Sequence, residues 1–285
     1  MKVNPKVSVV IPCYNDKEYI QETIDAVLGQ TFQDFEVIIV DDGSNAETKK
    51  VLAEIKNEKA TIINQENKGL SAARNTGFSV SKANYILTID SDDTLDPSFL
   101  EKAITVLEKD NTVAAVSSHC TIFVGNHKII GYHKPKGGGV SNFLFDNNSV
   151  SFALIRKGVW QSVGGYDENM KNGFEDWEFW IAVTKKGFKV HTIAEFLFHY
   201  RQKNLSMSKE SKMNFRESNL NYIYKKHSDL YGNHFAQVVD FLTELAQRNK
   251  RNEIKYKNSL EFKIGNSILS PVRWLKKIVL KSTMK

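Results

Sequence analysis

Three carboxylates stand within four residues where an apolar run gives out. The stretch "YILTIDSDD" carries Asp90, Asp92 and Asp93 straight after a β-prone segment. Packed carboxylates repel one another, and each loses hydration on burial. A cation, or a ligand that carries one, removes that difficulty. Oxygen-only ligands suit magnesium or manganese, and such an ion offsets the charge that grows on a departing diphosphate. A second acidic pair, Glu175 and Asp176, lies in "GFEDWEFW". A carboxylate there is a candidate general base for an incoming hydroxyl. Arg74, in the small-residue stretch "GLSAARNTGFSVSK", is the candidate cation of the same half of the chain.

These residues need a frame. "VSVVI" (7–11), "FEVIIV" (35–40), "TIIN" (61–64) and "YILTI" (85–89) read as buried strands. Helices are expected between them, at 15–29, 46–56 and 69–82. Asn15 with Glu18, and Ser44 with Glu47, have capping-box spacing. Asp96-Pro97 predicts a further helix start, with Asp as cap and Pro at the first position. Continuous Val/Ile runs separated by helices indicate an α/β fold, an open, mostly parallel sheet buried on both faces. Ligands of such sheets bind beyond the carboxyl ends of the strands. Pro12, Tyr14 and Asn15 follow the first strand, Asp41 and Asp42 the second, and the Asp90 cluster the fourth. Further on, strands are expected at 112–118 and 150–156, then in "FKVHTI" and "EFLFHYR". A glycine-bearing loop falls at 133–142, a helix ends near Gly187, and helix dominates from about Met213.

Composition narrows the class. The 285 residues, 41% hydrophobic and 25% charged, suit one large soluble domain with or without an appendage. Two cysteines, Cys13 and Cys120, make no disulfide framework and point to a reducing compartment. The N-terminus does not read as a signal peptide, and no apolar stretch reaches the ~18 residues of a membrane span. The net charge of +6 sits wholly in residues 253–285, where eight Lys or Arg face two Glu. The rest of the chain is neutral, which argues against a nucleic-acid partner. In that tail Ile264, Ile268, Val272, Leu275 and Val279 share one helical face, with Arg273, Lys277 and Lys281 opposite and Pro271 interrupting. Two short helices, or one kinked helix, would lie on a membrane surface. The competing reading is a helix packed on the body with a solvated basic face.

Seven segments carry a family resemblance: "VSVVIPCYND", "VIIVDDGSNAET", "NKGLSAARNTG", "YILTIDSDDTLDP", "VGGYDE", "GFEDWEFW" and "FHYRQKNLSMS". In this order, over residues 5–208, they resemble the GT-A-fold glycosyltransferases of family 2, inverting enzymes that use nucleotide-diphosphate sugars. The resemblance implies a GT-A catalytic domain over 1–210 and a helical, basic C-terminal extension over 211–285. It implies Pro12 and Tyr14 in the base pocket, with Tyr14 stacked on the pyrimidine, and Asp42 accepting from the base N–H. Arg74 would stand near base and phosphates. Asp90 and Asp92 would form the DxD, with Asp90 facing ribose and metal and Asp92 (or Asp93) binding Mn²⁺ or Mg²⁺ directly. Asp176 would be the catalytic base with Glu175 beside it, His199 a further metal ligand, and Trp177 a wall of the acceptor site. Arg201 and the "SMS" at 206–208 would belong to a segment closing over the diphosphate. The implied donor is a UDP-sugar and the implied acceptor a glycan or lipid-linked hydroxyl in cell-surface polysaccharide synthesis. The implied place is cytoplasmic, peripheral at the inner face of the cell membrane.

Two other readings compete. A nucleotidyltransferase on a similar sheet carries a Gly-rich loop with a basic residue directly after the first strand, whereas here that strand exits into "PCYND". A degenerate, non-catalytic scaffold is disfavoured by the intact acids at 90, 92 and 176.

Overall fold

The computed structural model describes residues 4–203 and 211–282. Its first part alternates strand and helix: β1 (Val7–Cys13), α1 (Ile20–Leu28), β2 (Phe35–Asp42), α2 (Ala46–Glu54), β3 (Ala60–Gln65), α3 (Leu70–Val80) and β4 (Tyr85–Thr88). Then come β5 (Thr94–Leu95), α4 (Phe99–Lys109), β6 (Val113–Val124), β7 (Lys128–His133), α5 (Val140–Phe143), β8 (Ala153–Arg156), α6 (Lys157–Val163), α7 (Glu175–Lys185) and β9 (Lys189–Arg201). A π-helical turn, Ser211–Phe215, leads to α8 (Arg216–Lys226), α9 (Ser228–Asn233), α10 (Phe235–Asn258) and α11 (Leu260–Ser282).

The described strands form one sheet in the order β3-β2-β1-β4-β8-β6-β9-β5, with β7 paired to β6. Its first four strands are parallel, and β8 enters antiparallel to β4. The mixed, mostly parallel α/β sheet expected from the Val/Ile runs is therefore present. Every residue of β1 is buried, Pro12 included. Alternate residues serve opposite faces. Val7, Val9 and Ile11 join Ile20, Leu87, Phe99, Phe152 and Phe198 in one core, where Phe152 and Phe198 stack at 4.4 Å. On the other face α3 lies close to β1 because position 77 is glycine: a Cβ there would stand 2.4 Å from Val10 Cγ1.

Several boundaries move, each for a tertiary reason. The helix expected from residue 15 starts only at Ile20, without a side-chain cap. Asn15 instead adopts φ 59, donates its N–H to Ser44 Oγ at 3.0 Å, and accepts from Asn45 N at 2.8 Å. That occupies the Ser44 hydroxyl, and Asn45 caps α2 through Thr48 N at 2.9 Å. Asp96 accepts from Ser98 N at 2.9 Å, and α4 begins later, at Phe99. "FKVHTI" and "EFLFHYR" are one strand, β9, whose irregularity is absorbed as register shifts against β6. Pro271 lies inside one helix, α11.

The chain divides into two compact units, Met1–His227 and Ser228–Lys285. The boundary read after residue 210 falls within the first. Here α8 is bonded to the body: Asn219 Nδ2 donates to Asn172 O at 3.0 Å and Gly173 O at 3.2 Å. Lys226 bridges Asp167 at 2.6 Å and Glu178 at 2.7 Å, and His227 meets Glu178 at 2.8 Å. The second unit is helical, with Phe235, Leu242, Leu260, Ile264 and Ile268 exposed. Val272, Leu275 and Val279 lie outside the described side chains. Among the described residues no helix is long and apolar enough to cross a membrane.

Candidate active site

The parallel strands β1, β2 and β4 deliver their carboxyl ends to one edge, and the loops there are stitched together. Ser91 Oγ donates to Asp16 Oδ2 at 2.6 Å, and Thr23 Oγ1 donates to Asp93 O at 2.8 Å. A cavity of about 310 Å³ opens among Asn15, Asp16, Tyr19, Asn45 and Lys203. Tyr14 stands at this edge, 52% exposed, an accessible ring on the rim.

Each carboxylate of the "DSDD" cluster has its own answer to repulsion. Asp90 is paired with Arg74 at 2.7 Å. Asp92 is paired with Lys203 at 2.9 Å, and Lys203 also reaches Asp16. Asp93 is buried, accepting Arg201 N at 2.8 Å on one oxygen, while its Oδ2 has no partner. Burial, then the charges of Asp92 and Asp90, raises Asp93 well above the usual carboxylate range, which favours its protonated form. Burial also pushes Asp92 up to about 6, with Lys203 opposing. Two of these carboxylates thus have partners within the chain, Arg74 and Lys203.

Arg74 lies beside the Asp90 cluster. It is fully buried, and its guanidinium spans Asp90 and Glu175, the latter at 2.8 Å. One arginine of α3 therefore ties the exit of β4 to the first turn of α7. Glu175 is buried in that bridge, and Asp176 is less buried. A strained residue, Phe174 at φ 67, precedes the pair. The left-handed region costs a non-glycine residue ~1 kcal/mol or more. Asp176 accepts from Asn147 Nδ2 at 2.8 Å and from Trp177 N at 2.8 Å. Burial, followed by the Glu175 charge, pushes its carboxyl up to about 6, against Asn147 and Arg74. A base in that range accepts a proton readily near neutral pH.

Arg201 is buried. Its Nε donates to Asp92 O at 2.8 Å, its other nitrogens reach Gly125 O and Glu22, and Tyr19 and Phe123 flank it at 4.6 and 4.5 Å. The cation facing the acids from this end is Lys203, two residues on. Trp177 is 3% exposed, and its Nε1 donates to Phe143 O at 2.7 Å, which packs it under α5. His199 pairs with Thr94 across β9 and β5. Burial lowers its pKa, and the charges acting on it are Asp96 and His127, not Asp90 or Asp92. Asp42 is nearly buried and accepts from Gln65 Nε2, Lys68 N and Gly69 N at 2.7–2.9 Å, clamping the β3–α3 connection. The "SMS" at 206–208 lies outside the described residues.

A hard divalent cation fits the remaining donors. Asp90 Oδ2 accepts from Ser151 Oγ at a long 3.4 Å, and Asp92 is paired with Lys203, 25% exposed. Magnesium and manganese take one or two carboxylates and complete their shells with phosphate and water. Among the described residues no three His, Cys, Asp or Glu side chains form a metal cluster.

Sequence reasoning missed Lys203, Asp16 and Asn147. Asp16 and Lys203 lie in segments of the resemblance but had no role assigned, and Asn147 lies in none. A lysine two residues past a strand and an asparagine in "FDNNS" are ordinary surface residues until the fold places them.

The family model described as "Glycosyl transferase family 2" matches residues 8–162, and one described as "Glycosyltransferase like family 2" matches 130–253. The chain belongs to glycosyl transferase family 2. An uncharacterised glycosyltransferase of Methanocaldococcus jannaschii is similar to this transferase, 30% identical over 222 residues, 73% of this chain and 76% of the relative. A hyaluronan synthase of Pasteurella multocida is 30% identical over 196 residues, but the chain spans only 19% of it. Among solved structures, Staphylococcus aureus TarS in complex with UDP-GlcNAc shares the fold. Its TM-score is 0.58 at 18% identity, covering 71% of this chain and 60% of that one. This transferase is thus an enzyme of the glycosyl-transferring class on a GT-A sheet.

Proposed function

We propose that this glycosyltransferase moves a sugar from a UDP-sugar to a hydroxyl of a glycan or lipid-linked acceptor, with inversion, in cell-surface polysaccharide synthesis. The observation that carries the reading is the Asp176 carboxyl, held near 6 on a helix that Arg74 fastens to Asp90. Supporting it, TarS is described in complexes with UDP and UDP-GlcNAc, and similar chains are named chondroitin and hyaluronan synthases.

In this mechanism Tyr14 stacks on the nucleobase beside Pro12 and Asp42. Asp90 and Asp92 would hold Mg²⁺ or Mn²⁺, which would supply positive charge against the leaving diphosphate. Lys203, beside Asp92 and Asp16, adds a fixed positive charge at that end. Asp176 takes the proton of the acceptor hydroxyl as the oxygen attacks the anomeric carbon from the face opposite the diphosphate. The helical unit with its excess of lysine and arginine and exposed Leu260, Ile264 and Ile268 lies on an anionic membrane surface at the cytoplasmic side, where a lipid-linked acceptor would be found.

The test compares two variants by calorimetry and turnover. Asp92→Asn is expected to lose Mn²⁺-dependent UDP binding. Asp176→Asn is expected to keep that binding and lose transfer by ~10²–10⁴-fold. Wild-type behaviour of both would remove the mechanism.

A further inference from the structure

We infer that Asn147 is a positioning residue for the base Asp176, setting the proton affinity of its carboxylate and the direction of its free lone pairs. The inference rests on the reading of Asp176 as base and goes beyond it, because Asn147 lies in no segment of the family resemblance.

The geometry fixes which end of the amide faces the acid. Asn147 Oδ1 accepts from Ser149 N at 3.2 Å. The amide nitrogen is thereby turned to Asp176 Oδ2, where it donates at 2.8 Å. Asp176 Oδ1 accepts from the backbone N–H of Trp177 at 2.8 Å. Each carboxylate oxygen therefore holds one donor and keeps a lone pair, and the plane of the group is set by two bonds from different elements. The loop bearing Asn147 is itself anchored to α7, since Phe143 O accepts from Trp177 Nε1 at 2.7 Å, and Trp180 Nε1 donates to Val150 O at 3.2 Å. Two indoles of the base helix thus bracket the loop that supplies Asn147.

The electrostatic surroundings make this donor matter. Glu175 on the same helix raises the proton affinity of Asp176 by its charge, and Arg74 on α3 lowers it. Tyr166, before α7, is buried and keeps its proton. Arg74 is already shared between Asp90 and Glu175. Asn147 is the side-chain hydrogen bond that favours the Asp176 carboxylate, and a donor to the charged form lowers a pKa. Removing it leaves burial and Glu175 with less opposition. Asp176 would then stay protonated at neutral pH and be no base.

The test titrates the carboxyl directly. In ¹³C-aspartate-labelled protein, the Asp176 resonance is identified by its loss in Asp176→Asn. In wild type it is expected to titrate near 6, and in Asn147→Ala about one to two pH units higher. Asn147→Asp, the same size, puts a second carboxylate against Asp176 and is expected to raise it further. This variant decides the matter if the alanine variant fails to fold. Asn147→Ser, which keeps a donor, is expected to fall between alanine and wild type. An unchanged midpoint in the alanine and aspartate variants overturns the inference. The transfer assay separates this from the underlying reading. If Asp176→Asn keeps full turnover while the resonance of Asn147→Ala still moves, Asp176 is not the base, although Asn147 does set its titration. If Asp176→Asn is inactive and the acid limb of kcat/KM for Asn147→Ala moves with the resonance, both hold.

Discussion

Arg74 and Asp90 form an ion pair at 2.7 Å in which the guanidinium is fully buried and the carboxylate still meets solvent. The other end of that guanidinium holds Glu175, 101 residues further along the chain. Burial opposes the arginine's charge, but Asp90 and Glu175 outweigh it and keep it protonated. One side chain thus ties the acid at the β4 exit directly to the helix of Asp176. Arg74→Met is expected to leave two carboxylates without their partner and to destabilise the protein by about 3–5 kcal/mol. Urea unfolding measures this, and Arg74→Met with Glu175→Gln should recover part of the loss. A cost under ~1 kcal/mol would mean that the bridge is not what joins these elements.

Lys203 stands between Asp16 and Asp92 as a resident cation. Lys203→Met is expected to strengthen binding of Mn²⁺ alone by several-fold, because an ammonium no longer competes for Asp92. UDP should bind more weakly in the presence of Mn²⁺, because a cation near the diphosphate is gone. Isothermal titration with each ligand distinguishes these effects. Equal weakening of both would show that Lys203 only supports the fold.

Asp176 has a folded-state pKa of about 6, above its ordinary value of 3.8. For a group raised on folding, the stability it contributes is full below pH 3.8 and lost as pH rises through 6. Asp176→Asn removes that loss. The variant is expected to be more stable than wild type by about 1–3 kcal/mol at pH 7.5 and equal to it near pH 4. Unfolding midpoints across this range check the sign. A variant less stable at pH 7.5 would contradict the raised value.

Gly77→Ala tests the packing of α3, the helix that carries Arg74. The added methyl meets Val10 Cγ1 at 2.4 Å in the strand core. A helix-favouring substitution is thus expected to destabilise by about 1–3 kcal/mol, and Val10→Ala should relieve part of it. Thermal unfolding of the single and double variants decides.

The pattern of the chain alone determined the α/β class, the alternation of strands and helices over the first ninety residues and the edge at which acids gather. Continuous Val/Ile runs mark strands covered on both faces, and parallel strands share their carboxyl ends. That placed Asp42, Asp90 and Asp92 at one rim before any contact was known. Caps were less legible: Ser44 has the spacing of a cap, but its hydroxyl is taken by Asn15 N, and Asn45 does the work instead.

What only the tertiary structure decided is the pairing of charges and the burial of each functional side chain. Arg74 and Glu175, Lys203 and Asp92, and Asn147 and Asp176 are far apart in sequence. Periodicity reports which side of an element is covered, but not what covers it. Trp177 and Arg201 have the residue types of a binding surface. They are buried because Phe143 O, Glu22, Tyr19 and Phe123 arrive from elsewhere in the chain.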